Sequence, residues 1–179
     1  LKFKISLKSF YQVNYQQMIK LYKTVESKAN LNQEMNVLDL YSGIGTISLF
    51  LASKCKSVTG VEVVKQAVDN ALENIKINNI KNAEYILDDA RNPLDKYIKG
   101  KDLVIVDPPR KGLNEKLINT LIDSNVDNIV YVSCNPATLA RDLSMFKNDY
   151  DFSSITPVDM FPMTTHVECV VGMQRKDNK

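Results

Sequence analysis

The chain has 179 residues, of which 44% are hydrophobic and 25% are charged, a length and composition that suit one globular domain and exclude disordered, collagen-like and low-complexity chains. Its net charge is only +2, but residues 1–28 hold six lysines against one glutamate, which indicates either a phosphate-facing edge or an ordinary solvated surface. The sequence has no bilayer-length apolar run, no leader pattern and only three cysteines without zinc spacing, so we expect a cytoplasmic protein without a membrane span, disulfide framework or metal.

The predicted elements begin with alternating apolar and polar residues over 3–7, which predict a strand. A helix follows Asn14, because an apolar stripe at helical spacing begins there and Asn14 and Gln17 are placed as a capping pair. Strands are then predicted over 36–40, 57–62, 83–87, 102–106 and 128–133, and helices over 45–54, 64–78, 92–99, 114–124 and 136–147. Two more strands, near 150–159 and 166–174, have no helix between them.

This alternation of strands and helices implies right-handed crossovers and a parallel sheet that is covered on both faces. The last two strands should form an antiparallel hairpin at one edge. The predicted fold class is therefore α/β: a doubly wound, mostly parallel sheet with an antiparallel terminal hairpin. It is similar to the Rossmann-like fold of methyltransferases that use S-adenosylmethionine.

Ligands of open α/β sheets bind beyond the carboxyl ends of the strands. The first strand of the alternation leads into Tyr41 and a Gly43-x-Gly45 turn, whose glycines let a ligand approach the backbone. Ser48 stands where the dinucleotide fingerprint requires glycine or alanine, so the turn does not predict a pyrophosphate site.

Carboxylates recur at the strand ends, at Asp39, Glu62, Asp88, Asp89 and Asp107. Such a rim repels a diphosphate and attracts a ligand that carries an ammonium and a sulfonium, which favours S-adenosylmethionine over NAD. Glu62 is spaced to pair a ribose diol. The alternative is that each of these residues simply stabilises the N-terminus of the helix that follows it. That alternative explains one such residue well, but it explains less well why carboxylates recur at all of these strand ends.

The fourth strand of the alternation ends in Asp107 and two prolines, which form a rigid turn that holds the carboxylate at the cleft. Arg110 and Lys111 follow, where amino-methyltransferases have an aromatic residue, and they are available to phosphates. The alternative is a plain turn with surface charge.

Two further side chains carry the predicted chemistry. Cys134 directly precedes a helix that begins near Pro136, where the peptide dipoles are expected to lower the thiol pKa and favour a nucleophile; a small apolar filler is the alternative. Glu168 lies among apolar residues, which should raise its pKa and suit it to accept a proton.

Together these residues resemble one family, the RNA 5-methyluridine methyltransferases, which transfer a methyl group from S-adenosylmethionine to C5 of a uridine. The matching stretches are 10–14, 38–45, 61–62, 107–112, 133–142, 159–162 and 166–168. The candidate cofactor-binding residues are Gln12, Tyr41, Gly43, Glu62, Asp89 and Asp107. By the resemblance Cys134 is the nucleophile and Glu168 the base. Arg110 and Lys111 are the candidate RNA-binding residues.

The resemblance implies a covalent mechanism in which the Cys134 thiolate adds to C6 of an unstacked uridine before C5 is methylated, and S-adenosylhomocysteine leaves as the product. We expect residues 1–179 to be a single catalytic domain in which 1–13 form a basic leading strand and loop. The chain opens on Leu1, which suggests a domain of a longer chain, and the resemblance implies that an upstream RNA-binding domain of that chain is its partner. Ribosomal RNA is slightly favoured over tRNA as the substrate.

Three other classes stay open. A cytosine-C5 methyltransferase would place its cysteine after a proline in the loop that follows Asp107, where this chain has none. An amino-methyltransferase needs no thiol. A non-catalytic RNA-binding module would bind no cofactor.

Overall fold

The computed structural model describes residues 1–6, 10–90, 92 and 94–176. The helices within these ranges are α1 (Tyr15–Ala29), α2 (Thr46–Leu51), α3 (Lys65–Ile77), α4 (Asp95–Ile98), α5 (Glu115–Asp123) and α6 (Pro136–Phe146), and a 3-10 turn (Ala52–Lys54) extends α2. The strands are β1 (Asn36–Leu40), β2 (Ser57–Glu62), β3 (Ala83–Leu87), β4 (Leu103–Val106), β5 (Asn128–Ser133), β6 (Tyr150–Phe152), β7 (Thr156–Val158) and β8 (Glu168–Arg175).

All eight strands form one sheet in the order β3-β2-β1-β4-β5-β8-β6, and β7 also pairs with β8. The first five strands in this order are parallel, and β8 runs antiparallel to β5, β6 and β7. The winding reverses between β1 and β4, so the carboxyl ends of these strands border a crevice. The predicted doubly wound α/β fold is confirmed.

The core lies on both faces of the sheet, because β1 and β4 are almost continuously apolar and alternate residues point to opposite faces. Leu38 and Val104 pack with α5 and α6 on one face. Val37 and Ile105 pack with α1 and α2 on the other. The strands that end at the crevice are therefore held rigidly from two sides.

The predicted terminal hairpin is present, but its first strand is divided into β6 and β7. Phe152 pairs with Met173 and Thr156 pairs with Val170, so three residues at the edge face two residues of β8 and form a bulge. Gly172 donates its N–H to the Ser153 hydroxyl across the bulge at 2.9 Å. Consequently β8 lies inside the sheet, and β6 and β7 form its edge.

The strand predicted over 3–7 is wrong for the described residues 3–6, which form no strand; its last residue lies outside the described part of the chain. The prediction fails because the backbone of this segment bonds to side chains and not to the backbone of another strand. The Lys2 N–H donates to Asn78 Oδ1 at 2.8 Å and the Lys4 N–H donates to Asn74 Oδ1 at 2.6 Å. The segment is extended, but it pairs with side chains of α3 and its C-cap.

The helix predicted over 92–99 is present as α4, which is shorter, and residues 91 and 93 lie outside the described part. The predicted cap of α1 is confirmed, since Asn14 accepts a hydrogen bond from the Gln17 N–H at 3.2 Å. Among the described residues, no helix is both long enough and apolar enough to cross a membrane.

Candidate active site

A cavity of about 870 Å³ lies beyond the carboxyl ends of β1, β2, β4 and β5. All ten candidate site residues predicted from the sequence line this one cavity: Gln12, Tyr41, Gly43, Glu62, Asp89, Asp107, Arg110, Lys111, Cys134 and Glu168. Residues from both ends of the chain therefore meet at the point where the winding reverses. Their roles remain predictions.

The turn after β1 is held to the end of β2 by a carboxylate. Tyr41 and Gly43 have φ angles of 64° and 55°, a left-handed region that is costly for the tyrosine. Glu62 accepts hydrogen bonds from the Gly43 N–H at 3.0 Å and from the Val64 N–H at 2.8 Å. Each carboxylate oxygen can accept more than one hydrogen bond, so Glu62 can also bind the hydroxyls of a ligand.

Three buried polar atoms that line the cavity have no hydrogen-bond partner within the described residues. They are Gln12 Oε1, Asp39 Oδ2 and Ser42 Oγ, on residues that are 8%, 1% and 7% exposed. Buried polar atoms are almost always paired in folded proteins. These three atoms therefore lie in a part of the cavity that is suited to a polar ligand.

The cavity is strongly acidic, and burial makes its charges unfavourable. Burial raises the pKa of Asp39 to about 7; the nearby Glu62 adds to this effect, and a hydrogen bond from Ser48 opposes it. Enclosure in the cleft, with the charges of Glu168 and Asp39, raises the pKa of Asp107 well above its usual range. A cationic ligand would relieve this repulsion, so the lining fits such a ligand.

Cys134 and Glu168 lie next to each other at the cavity. In the antiparallel pairing of β5 with β8, Ser133 is opposite Cys169, so the next residues toward the cavity are Cys134 and Glu168. Both side chains line the cavity. A thiol and a carboxyl group that are neighbours in one cleft can act on the same bound substrate.

The predicted low pKa of the Cys134 thiol is wrong. Partial burial and the negative charges of Glu168 and Asp107 raise its pKa, and the Arg110 guanidinium only partly opposes them. These effects outweigh the dipole of α6 on which the prediction was based. The predicted raised pKa of Glu168 is confirmed in direction; burial raises it and Arg110 opposes the rise. A positive charge bound in the cavity would lower the pKa of the thiol.

The loop that follows β4 is anchored to α6 by a buried carboxylate. Asp142 is fully buried, and its Oδ2 accepts hydrogen bonds from the Leu113 N–H at 2.8 Å and from the Tyr131 hydroxyl at 2.6 Å. Its Oδ1 accepts two hydrogen bonds from Arg141, at 2.8 and 2.6 Å. Gly112 has a φ of 75°, and an added Cβ would collide with Asp142.

The N-terminus of α6 also anchors this loop. Asn135 caps the helix by accepting from the Ala137 N–H at 3.0 Å. Its amide also donates to the Arg110 carbonyl at 3.2 Å, and the Thr138 hydroxyl donates to the same carbonyl at 3.1 Å. The Arg110 side chain is exposed at the rim of the cavity, where a phosphate can reach it.

Among the residues of the cavity lining that sequence reasoning missed are three with hydroxyl groups: Tyr11, Tyr22 and Thr46. Burial raises the pKa of Tyr22 above its usual range, and a hydrogen bond to Thr46 opposes that rise. Tyr22 belongs to the otherwise apolar stripe of α1 that predicted the helix. Its hydroxyl in that stripe is the signal from which the residue could have been identified.

No group of three or more histidine, cysteine or carboxylate side chains that would hold a metal ion occurs in the part of the chain that the structure describes. The lining fits an organic cation with polar substituents, as judged from the five carboxylates and the three unpaired buried atoms.

The sequence matches the family described as tRNA (uracil-5-)-methyltransferase over residues 1–176. An RNA methyltransferase of Bacillus cereus is 50% identical over 179 residues, which are 98% of this chain and 39% of that protein. The chain thus spans about two fifths of the length of this relative.

The chain is also similar to solved structures. The Pyrococcus abyssi tRNA (uracil-54, C5)-methyltransferase, in complex with S-adenosyl-L-homocysteine, is 40% identical with a TM-score of 0.81, over 93% of this chain and 40% of that one. A precorrin-6y C5,15-methyltransferase from Geobacter metallireducens has a TM-score of 0.76 over 96% of this chain and 93% of that one. At 14% identity the second likeness shows the fold alone.

Proposed function

The chain belongs to the tRNA (uracil-5-)-methyltransferase family, and on that premise we propose that it is a catalytic domain that transfers a methyl group from S-adenosylmethionine to C5 of a uridine in RNA. The observation that carries this proposal is the position of Cys134 beside Glu168 in an acidic cavity. A thiol and a carboxyl group at one substrate are the two groups that this reaction needs.

The cavity lining suggests how the cofactor is held. Glu62 has free acceptor capacity for the ribose hydroxyls, and Asp39 and Asp107 would balance the positive charges of the cofactor. The unpaired atoms of Gln12 and Ser42 would bind its polar groups. Tyr41, Gly43 and Asp89 complete the proposed cofactor site. Bound S-adenosylmethionine supplies an electrophilic methyl group.

Cys134 activates the uracil ring, because C5 alone is too weak a nucleophile to accept a methyl group. The thiolate forms a bond to C6, and the electron pair of the C5–C6 double bond moves toward C5 and the O4 carbonyl, which gives an enolate. The raised pKa of the thiol means that it must lose its proton when the ligands are in place. Positive charge from Arg110 and from a bound cation favours that loss.

Glu168 completes the reaction by accepting the proton from C5 after methylation. The electron pair of the C–H bond re-forms the C5–C6 double bond, and the bond between C6 and the Cys134 sulfur breaks, which releases 5-methyluridine. A carboxyl group with a raised pKa is a stronger base than an ordinary one when it is ionised.

The RNA contacts are proposed from the rim of the cavity. A uridine must be unstacked to reach Cys134, and the exposed Arg110 and Lys111 would contact its phosphates. Ribosomal RNA remains the predicted substrate, and tRNA, which the name of the Pyrococcus abyssi enzyme specifies, is the competing one. We further propose an upstream RNA-binding region and a cytoplasmic location.

A methylation assay tests the proposal. The chain would be incubated with S-adenosylmethionine and with transcripts of tRNA or rRNA, and the nucleosides would be identified by mass spectrometry. We expect 5-methyluridine from the wild type and from the control Cys55→Ala, in which a cysteine outside the cavity is replaced, and none from Cys134→Ala. Methylated cytidine or an N-methylated base would overturn the assignment and support one of the other methyltransferase classes.

A further inference from the structure

Helix α3 and its C-cap carry three asparagines at intervals of four residues: Asn70, Asn74 and Asn78. Asn74 is fully buried and Asn70 is 4% exposed. Residues four apart lie on the same face of a helix, so the three amides form a row. This row, which we call the asparagine ladder, faces the extended segment 1–6.

Successive amides of the ladder pair with every second residue of the segment, so that each amide has one partner residue. Asn78 accepts from the Lys2 N–H at 2.8 Å and donates to the Lys2 carbonyl at 2.7 Å. Asn74 makes the same exchange with Lys4, at 2.6 and 3.3 Å. The Ser6 hydroxyl contacts Asn70 Oδ1 at 3.0 Å. The spacings agree, because four helical residues rise about 6.0 Å and two extended residues rise about 6.6 Å.

Asn74 also contacts the turn that follows β1. Its Nδ2 donates to the Ile44 carbonyl at 3.1 Å. Ile44 is buried and lies between Gly43 and Gly45, in the turn that lines the cavity. Lys4 therefore contacts the same amide that holds the turn, although segment 1–6 does not line the cavity.

From this geometry, and resting on the proposed cofactor site, we propose that Asn74 is a positioning residue for the cofactor turn and that segment 1–6 acts through it. Both backbone groups of Lys4 fix the orientation of the Asn74 amide, so that its Nδ2 points to the Ile44 carbonyl. The turn contains three residues with left-handed φ angles, Tyr41, Gly43 and Gly45. This conformation is costly for the tyrosine, so the turn keeps its shape only where its surroundings hold it.

Binding of S-adenosylhomocysteine by the chain, measured by calorimetry, tests this proposal. Asn74→Ala should weaken binding about tenfold, the factor that corresponds to one lost buried hydrogen bond. Lys4→Pro removes the N–H that orients Asn74 and should weaken binding about threefold. The matched control Asn78→Ala breaks the outer pair of the ladder and should change the affinity less than about twofold.

Amide hydrogen exchange supplies a second readout that needs no cofactor. In Asn74→Ala and Lys4→Pro, the Gly43 and Gly45 amides should exchange faster than in the wild type, whereas in Asn78→Ala they should not. Equal effects of Asn74→Ala and Asn78→Ala on affinity and exchange would overturn the proposal. If Asn74→Ala does not fold, wild-type exchange of the turn in Lys4→Pro would overturn it. A wild-type chain that binds no S-adenosylhomocysteine would contradict the proposed function instead, and exchange would still decide this inference.

Discussion

Asp39 is 1% exposed at the carboxyl end of β1, a position that is unfavourable for a charge. Burial raises the pKa of its carboxyl group to about 7, so the folded chain holds this proton more tightly than the unfolded chain does. The contribution of Asp39 to the free energy of unfolding therefore falls as the pH rises from about 4 to above 7. A cation bound beside Asp39 would restore the unfolding free energy that is lost when this carboxyl group ionises. Without such a ligand, the buried carboxylate lowers the stability of the chain.

Asn at this position is neutral at every pH, so Asp39→Asn should stabilise the chain where the aspartate is ionised. At pH 8.5 we expect a gain in unfolding free energy of up to roughly 4 kcal/mol. This value is the difference between the pKa of Asp39 in the folded and the unfolded chain, at about 1.4 kcal/mol for each pKa unit. At pH 5.5, where the folded chain keeps the proton, the gain should be smaller. Urea unfolding at both pH values measures it, with the exposed Asp127→Asn as the control. A gain that is the same at both pH values would contradict this explanation.

The reactivity of Cys134 should follow the charges around it. Because burial, Glu168 and Asp107 raise the pKa of the thiol, alkylation by iodoacetamide should reach half of its maximal rate above the pH of an ordinary cysteine. Glu168→Gln removes a negative charge and should lower that pH, and Arg110→Gln should raise it. Mass spectrometry separates Cys134 from the buried Cys55 and Cys169, which should react slowly. Maximal reactivity of Cys134 already at neutral pH would refute this account.

At the scale of elements, the packing of α6 against the loop after β4 fixes the rim of the candidate active site. The loop carries Asp107 and Arg110, and α6 holds it through the buried Asp142. The helix that follows Cys134 therefore positions both the thiol and the loop that faces it. Disruption of this contact should affect stability and catalysis together.

Asp142→Ala leaves the Leu113 N–H and the Tyr131 hydroxyl without a partner and should lower the free energy of unfolding by about 2–4 kcal/mol. Gly112→Ala places a methyl group against Asp142 at a left-handed φ and should cost about 1–3 kcal/mol. The control on the same helix, Ser144→Ala, should cost less than about 0.5 kcal/mol. Urea unfolding measures all three, and an Asp142→Ala loss no greater than that of Ser144→Ala would show that the loop is held elsewhere.

Most of these elements were predictable because apolar periodicity determines them. The apolar runs of β1 and β4 bury a defined surface, so the bounds of these strands differ from the prediction by at most one residue. The stripe of α1 likewise predicted where that helix begins, directly after Asn14. The leading segment was not predictable, because its alternation is satisfied by the asparagine ladder and not by a strand. The bulge between β6 and β7 includes a hydrogen bond from the Gly172 N–H to the Ser153 hydroxyl. A contact of this kind leaves no trace in the apolar periodicity of the sequence, so the bulge was not predictable.

The positions of the site residues were predictable to the same extent as the strand ends. Tyr41, Glu62, Asp107 and Cys134 each follow or end a predicted parallel strand, and such ends meet at one edge of the sheet. The pKa of Cys134 was not predictable from local sequence, since it depends on Glu168, which lies 34 positions away in the chain.

At the scale of the whole molecule, the lysines at the front of the chain contribute less to a phosphate-binding surface than their number indicates. Lys4 forms an ion pair with Glu73 at 2.6 Å, and Lys28 donates to the Ser154 carbonyl at 2.6 Å. Both contacts favour the reading of a solvated surface over that of a phosphate-facing edge. The cations at the cavity rim, Arg110 and Lys111, are the better candidates for phosphate contacts.

The salt dependence of RNA binding should identify these contacts. Arg110→Gln and Lys111→Gln should each reduce the slope of log K against log salt concentration by about 0.7, the value for one contact to single-stranded nucleic acid. Lys116→Gln, an exposed residue of α5 outside the cavity lining, should leave the slope unchanged. Fluorescence anisotropy with a short uridine-containing RNA measures the slope, and equal slopes for all three variants would place the phosphates elsewhere.

The order of bond making is the central claim, and a trapped intermediate tests it most directly. Glu168→Gln keeps the shape of the side chain but cannot accept the C5 proton, so the methylated uridine should remain bonded to the Cys134 sulfur. On a denaturing gel, this variant with RNA and S-adenosylmethionine should give a protein–RNA band that Cys134→Ala lacks. If Glu168→Gln instead releases methylated RNA at the wild-type rate and gives no such band, Glu168 is not the base and the proposed mechanism is wrong.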